Sequence, residues 1–290
     1  MKSMKPMKPM KSMVMAAVLL SLSSPAVVWA QETPAEDVES VESVEGVEAE
    51  NEDILLYTGD RSFVGPTAKL TEEGRWEIGL FGPLRYGFSD TMELAVHPLL
   101  FFVSPNLQVK LGHGERGGWE LASKHQVTYP TPLLRLLARE GIGGILPSDR
   151  AVPHIVSLQS ELLASREFGQ QLITFGLGVQ VAPRFGESQL VSIDLPFVYP
   201  RTAAAFGWAT GIARVGAQGP IAGKLGYEAE VRAFTYPGVD GAFAVEQGAG
   251  LRWTTSPSFM AQAGYRLSYA GYPFGRMFNI VPTVELAWGF

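Results

Sequence analysis

A transmembrane antiparallel β-barrel of about twelve strands, with ten as the alternative, is predicted by three features of this sequence. Apolar and polar residues alternate through a series of segments of roughly ten residues each, the period of an extended strand with one greasy face. In GWELASKHQVTYP the residues Trp119, Leu121, Val127 and Tyr129 share one face, and Glu120, Ala122, Lys124, Gln126 and Thr128 share the other. Trp119 and Tyr129 stand at the two ends of the greasy face. At about 3.3 Å per residue and a tilt near 40°, their separation projects to roughly 25 Å, the height of a lipid-facing band between aromatic girdles. The connections supply the third feature: REFGQQ, AQGPIAG and TTSPS are short and alternate with the longer 130–152, 183–200, YPGVDG and AGYPFGR.

The chain opens with MKSMKPMKPMKSM, which carries Lys2, Lys5, Lys8 and Lys11 and no acid, followed by an apolar run and SSPAVVWA. A basic leader, an apolar core of roughly 10 residues and a small-residue exit predict a secretory signal peptide over 1–30, cleaved after Ala30. Residues 31–53 hold ten acids and no base and include VESVESVEGVEA, whose valines follow neither a helical nor a strand period. A disordered acidic tail is expected there. Removing these ten acids from 29, and the four signal lysines from 23 bases, leaves 19 of each, so the rest of the chain is neutral. A lead-in segment over 54–73 precedes the barrel, predicted over 74–290.

Taken in order, the candidate strands are 74–81, 83–88, 91–101, 105–113, 118–129, 153–165, 170–182, 201–216, 221–235, 241–254, 258–270 and 277–290. In the first pair, GLFGPLRYG also reads as one bent strand, and the polar faces carry Glu77 and Arg85. The next three direct Glu93, Lys110, and then Glu120 with Lys124, to the same side. Glu161 marks the polar face of the sixth. In the seventh, QLITFGLGVQV, the outward set is Ile173, Phe175, Leu177, Val179 and Val181. The eighth is assigned a small-residue inward face of Ala205, Gly207, Ala209, Gly211 and Ala213. KLGYEAEVRAF turns Leu225, Tyr227, Ala229 and Val231 outward and Glu228, Glu230 and Arg232 inward; Glu246, Arg252 and Arg266 mark the two strands after it.

The last strand alternates back from Phe290 through Trp288, Leu286 and Val284, with Gly289, Ala287, Glu285 and Thr283 between. TVELAWGF resembles the last-strand signal of Gram-negative outer-membrane β-barrel proteins, in which a terminal Phe and alternate apolar residues are read by the barrel-assembly machinery. The resemblance covers the end strand by motif and most of 74–290 by pattern. It implies an outer-membrane location, with lipid, lipopolysaccharide and the assembly machinery as partners, and brings no catalytic residue with it. Trp119, Tyr129, Trp288 and Phe290 are thus the girdle and assembly residues. Short turns then lie on the periplasmic side and long loops outside.

The absence of cysteine removes disulfides, lipid attachment through a thiol and Cys-based metal sites. No basic patch supports nucleic-acid binding. GIGG and QGAG lack the Lys-Ser/Thr partner of a phosphate loop, and no cofactor or metal site is expected. Among the four histidines, Ser123 and His125 lie two apart on one strand face, a spacing weighed as a lipid-hydrolase pair and set aside for want of contact and of a group to orient the imidazole. The fourteen charged residues Glu77, Arg85, Glu93, Lys110, Glu120, Lys124, Glu161, Glu228, Glu230, Arg232, Glu246, Arg252, Arg266 and Glu285 are the candidate lumen lining. They suit a narrow channel for passive or gated passage of small solutes. A plugged, anchoring barrel with exposed loops is the alternative, and a lipid-modifying hydrolase comes third; an enzyme is not expected. The leucine-rich TPLLRLLAREGIGGIL is expected to form a short amphipathic helix that dips inward or rests on the outer leaflet.

Overall fold

The computed structural model describes residues 62–139, 151–187, 194–272 and 275–290. The predicted signal peptide, the acidic tail and the start of the lead-in lie outside the described residues, as does 140–150 of the leucine-rich loop.

Twelve strands close an antiparallel barrel: β1 (Trp76–Gly79), β2 (Leu84–Ser89), β3 (Met92–Val96), β4 (Asn106–Arg116), β5 (Trp119–Thr128), β7 (Ser157–Phe168), β8 (Gln171–Val181), β10 (Ala209–Ala222), β11 (Leu225–Thr235), β12 (Phe243–Ser256), β13 (Phe259–Ala270) and β14 (Met277–Gly289). Two short strands, β6 (His154–Ile155) and β9 (Arg184–Phe185), pair with each other in the long loops. Short helices α1 (Pro98–Phe101), α2 (Thr131–Leu137) and α3 (Ala204–Gly207) lie at the same end.

Three segments depart from the sequence expectation. AQGPIAG, read as a turn, continues β10 to Ala222, and only Gly223 and Lys224 turn the chain. The stretch 91–101 stays extended only to Val96, because Pro98 has no N–H for a ladder and opens α1 instead. The stretch 201–216 is extended only from Ala209, since 204–207 turns into α3 and is buried at the long-loop end.

The outside of the wall is apolar and accessible. On β8, Phe175, Leu177 and Val179 are exposed, Leu177 at 68%, while Leu172, Thr174, Gly176 and Gln180 on the opposite face are buried. This inverts the arrangement of a water-soluble sandwich and defines a transmembrane barrel, with hydrocarbon outside and polar groups within.

The wall is uneven in height. β1, β2 and β3 have 4, 6 and 5 residues, against 13 in β14. Along β14, β1 pairs with Ala287–Gly289, with further main-chain bonds between Trp76 and Phe290 and from Leu80 N to Leu286 O. Above Leu286, among the described residues, no strand pairs that edge of β14.

Candidate functional site: the closed lumen

The ladders place the fourteen charged residues in register with one another on one side of the wall. Lys110 stands opposite Lys124 and Lys124 opposite Glu161; Glu228, Glu230 and Arg232 stand opposite Gln218, Gly216 and Arg214. The structure then gathers most of them into three layers, each involving residues that alternation could not supply.

At the short-turn end, residues 62–73 cross the lumen as a strap. Their main chain is held by wall side chains. Phe63 N donates to Glu77 Oε1 at 2.5 Å, Ala68 N to Ser165 Oγ at 2.8 Å, and both N and Oγ1 of Thr71 to Glu93 Oε2 at 3.0 Å. In the other direction Arg252 donates to Phe63 O at 2.6 Å, Lys110 to Lys69 O at 2.6 Å, and Arg214 to Pro66 O. Three apolar anchors supplement these bonds. Phe63 packs on Met260 and Ala287, Ala68 on Ala122 and Leu163, and Leu70 lies against Gly112. The strap passes so close to β2 that a Cβ on Gly87 would lie 1.9 Å from Glu72 O, so only glycine fits there.

The middle layer is a chain of ion pairs. Glu161 is shared by Lys124 and Arg214, the latter at 2.9 Å; Glu230 is shared by Arg214 at 3.1 Å and Arg232 at 2.5 Å. Nearer the short wall, Lys110 pairs with Glu93 at 3.1 Å and Arg75 with Glu77 at 3.1 Å, with Arg85 at 4.0 Å from both acids. Gly176 makes room for this chain, since a Cβ there would fall 2.7 Å from Glu161 Oε1 and 2.8 Å from Arg214 Cγ. The cavity left between strap and wall, lined by Pro66, Thr67, Arg214 and Glu230 among others, measures about 10 Å³, room for a single water.

At the long-loop end, residues 194–208 form a cap. Arg201 is 1% exposed and binds both Asp194 and Glu246, while its carbonyl accepts from Gln180 Nε2 at 2.6 Å. Tyr236 donates its hydroxyl to Asp194 Oδ2 at 2.8 Å; burial and the adjacent carboxylate hold that phenol protonated, above its ordinary range. Tyr199 lies under the guanidinium of Arg232 at 4.9 Å and of Arg266 at 5.9 Å. Leu134 of α2 is buried against Ile155, Leu195, Ala204 and Ala205, so the leucine-rich helix stacks on the cap.

Of the remaining predicted residues, Glu285 accepts from Phe81 N at 3.1 Å and Glu120 stands opposite Ser165 and Glu115. Arg266 is exposed within the lumen. On the outside, Trp119 clusters with Phe168 and Phe175, and Trp288 with Phe259. Tyr129 stacks on His154 at the opposite rim, and Phe290 exchanges both main-chain hydrogen bonds with Trp76.

One inward face was assigned with the wrong phase. Ala209, Gly211 and Ala213 belong to the outer set of β10, and Ala205 and Gly207 belong to α3. The inward set is Thr210, Ile212, Arg214 and Gln218, all buried. Small residues are tolerated on either side of a wall. The long ion-pairing Arg214 is not, and its carboxylate partners on β7 and β11 fix the phase. Arg214 was thus overlooked, as were Arg201, Asp194 and the strap. The sequence signal for Arg214 was a lone base in an otherwise uncharged strand.

No family model and no curated protein matches this chain. Among solved structures, it is similar to outer-membrane expressed OmpT of Vibrio cholerae, at 9% identity and a TM-score of 0.42, over 82% of this chain and 74% of that one. It is also similar to OccK11 (OpdR) of Pseudomonas aeruginosa, at 12% identity and a TM-score of 0.35, over 74% of this chain and 57% of that one.

Proposed function

We propose that this chain is an outer-membrane barrel closed at rest, an anchoring barrel whose long loops form the external surface and whose short turns face the periplasm. The observation that carries this is the occupation of the lumen at both ends, by the strap 62–73 and the cap 194–208, with the chain of paired charges between them. Buried charges that find partners on adjacent strands hold a lumen shut, because separating one pair leaves each member uncompensated. Lipid and lipopolysaccharide surround the wall, and insertion relies on the barrel-assembly machinery.

A second reading, a gated narrow channel for small solutes, is favoured by one observation: Arg266 points inward and is still exposed, so the lumen keeps room beside Asn279 and Thr283. Conductance of the refolded protein in a planar bilayer separates the two. The anchoring barrel gives no steady current either as the full chain or after deletion of 62–72. Current that appears only after the deletion identifies the strap as a gate, and steady current in the full chain overturns closure.

A further inference from the structure

Among the described residues the outer wall, though mostly apolar, carries a polar cluster on β4, β5 and β7. Register places Ser123 of β5 between Leu111 and Leu162, and His125 between Val109 and Ser160. His125 Nε2 lies 3.1 Å from Ser123 Oγ, and His125 Nδ1 lies 3.0 Å from Ser160 Oγ. The β4 ladder shifts register between Gly112 and Glu115, and His113, in that irregularity, brings Nε2 to 2.8 Å from the same Ser123 Oγ. The cluster is thus a serine hydroxyl in contact with an imidazole whose far nitrogen has its own partner. Polar side chains facing hydrocarbon are costly to keep, and here two imidazoles converge on one hydroxyl.

We propose that Ser123 and His125 form a nucleophilic site on the outer wall that cleaves the carboxylic esters of membrane lipids, with Ser160 as the positioning residue. This is independent of whether the lumen conducts. With Nδ1–H donated to Ser160 Oγ, the lone pair of His125 sits on Nε2, where it accepts the Ser123 proton. Ser123 Oγ bonds to the ester carbonyl carbon as that proton passes to Nε2. The carbon–oxygen bond to the alcohol then breaks, and the alcohol leaves with the proton. Water attacks the acyl-serine by the same route, giving a fatty acid and restoring the hydroxyl. The substrate is a lipid because the cluster opens on the apolar exterior. Ser123 is 5% accessible and the exposed ring of His113 lies over it, so access requires that ring to swing aside.

The test uses the full chain folded into phosphatidylcholine vesicles, with a fluorophosphonate probe, the modified residue located by mass spectrometry, and fatty-acid release measured alongside. Ser123 is expected to be the labelled residue, and Ser123→Ala to abolish both labelling and release. His125→Gln should slow both by about 100-fold or more, the usual contribution of a general base. Ser160→Ala should slow them, with recovery in Ser160→Thr, and His113→Ala should speed labelling by uncovering the hydroxyl. Heat-modifiable migration confirms that each variant is folded. Ser123 unlabelled in both the wild type and folded His113→Ala overturns the proposal. So does equal labelling of His125→Gln and wild type, which leaves the cluster as polar groups that merely satisfy one another.

Discussion

Pro282 stands in the middle of the thirteen-residue β14, where an imino acid ordinarily removes a ladder bond. It is tolerated because of the direction its nitrogen faces. Phe290 and Leu286 bond toward β1 and Gly289 toward β13, so every second residue, Pro282 included, turns its main chain toward the β1 side. That side has no strand partner above Leu286 among the described residues, and the absent N–H costs nothing there. The same attention to direction sharpens a substitution test. Thr174 is inward but fully packed, bonded to the Ser165 hydroxyl that also holds the strap, so an arginine there is no mild control. Asn279 is the better inward site. Leu177→Arg is expected to destabilise the protein by about 2–4 kcal/mol if that residue lies near midplane, and Asn279→Arg by clearly less, by denaturant titration in vesicles. Equal costs would contradict the face assignment.

Among the elements, β10 shows how an element takes its phase from neighbours. ATGIARVGAQGPIA offers small or apolar residues on both faces, and hydrophobicity alone gives a weak preference. Arg214 decides it by reaching Glu161 on β7, Glu230 on β11 and the strap carbonyl of Pro66. Arg214→Ala therefore removes one partner from each of two lumen acids and one donor from the strap. A loss of about 3–5 kcal/mol is expected, the range for breaking a buried pair, with increased proteolysis at the strap. A change within about 0.5 kcal/mol would mean that water replaces the guanidinium at little cost. The strap itself escaped the sequence because a segment held through its main chain has no side-chain period to detect; FVGPTAKLT shows neither a strand nor a helix pattern.

At the scale of the whole molecule, closure depends on a short seam. β1 meets β14 over three residue pairs, flanked by the reciprocal bonds between Trp76 and Phe290. Deleting Phe290 removes both of those bonds and an outward aromatic ring that is 76% exposed. The heat-modifiable, membrane-inserted fraction should fall, measured by gel shift after assembly into vesicles. Unchanged insertion would show that Glu77–Gly79 alone suffices to hold the seam.

The sequence by itself determined the barrel and its inside and outside. An apolar exterior and a polar interior must alternate with period two along every strand, and an ionised side chain has only one acceptable direction. That is why alternation gives the charged residues, from Glu77 to Glu285, a direction, and why it gives the uncharged small residues 205–213 none. The tertiary structure alone decided what occupies the lumen and what meets across strands. The strap uses backbone atoms that every residue possesses, Arg201 finds Asp194 and Glu246 only once a loop folds inward, and Ser160 reaches His125 through the register of β5 against β7. Such pairings depend on the relative shift of strands distant in sequence, which the alternation within a single strand does not record.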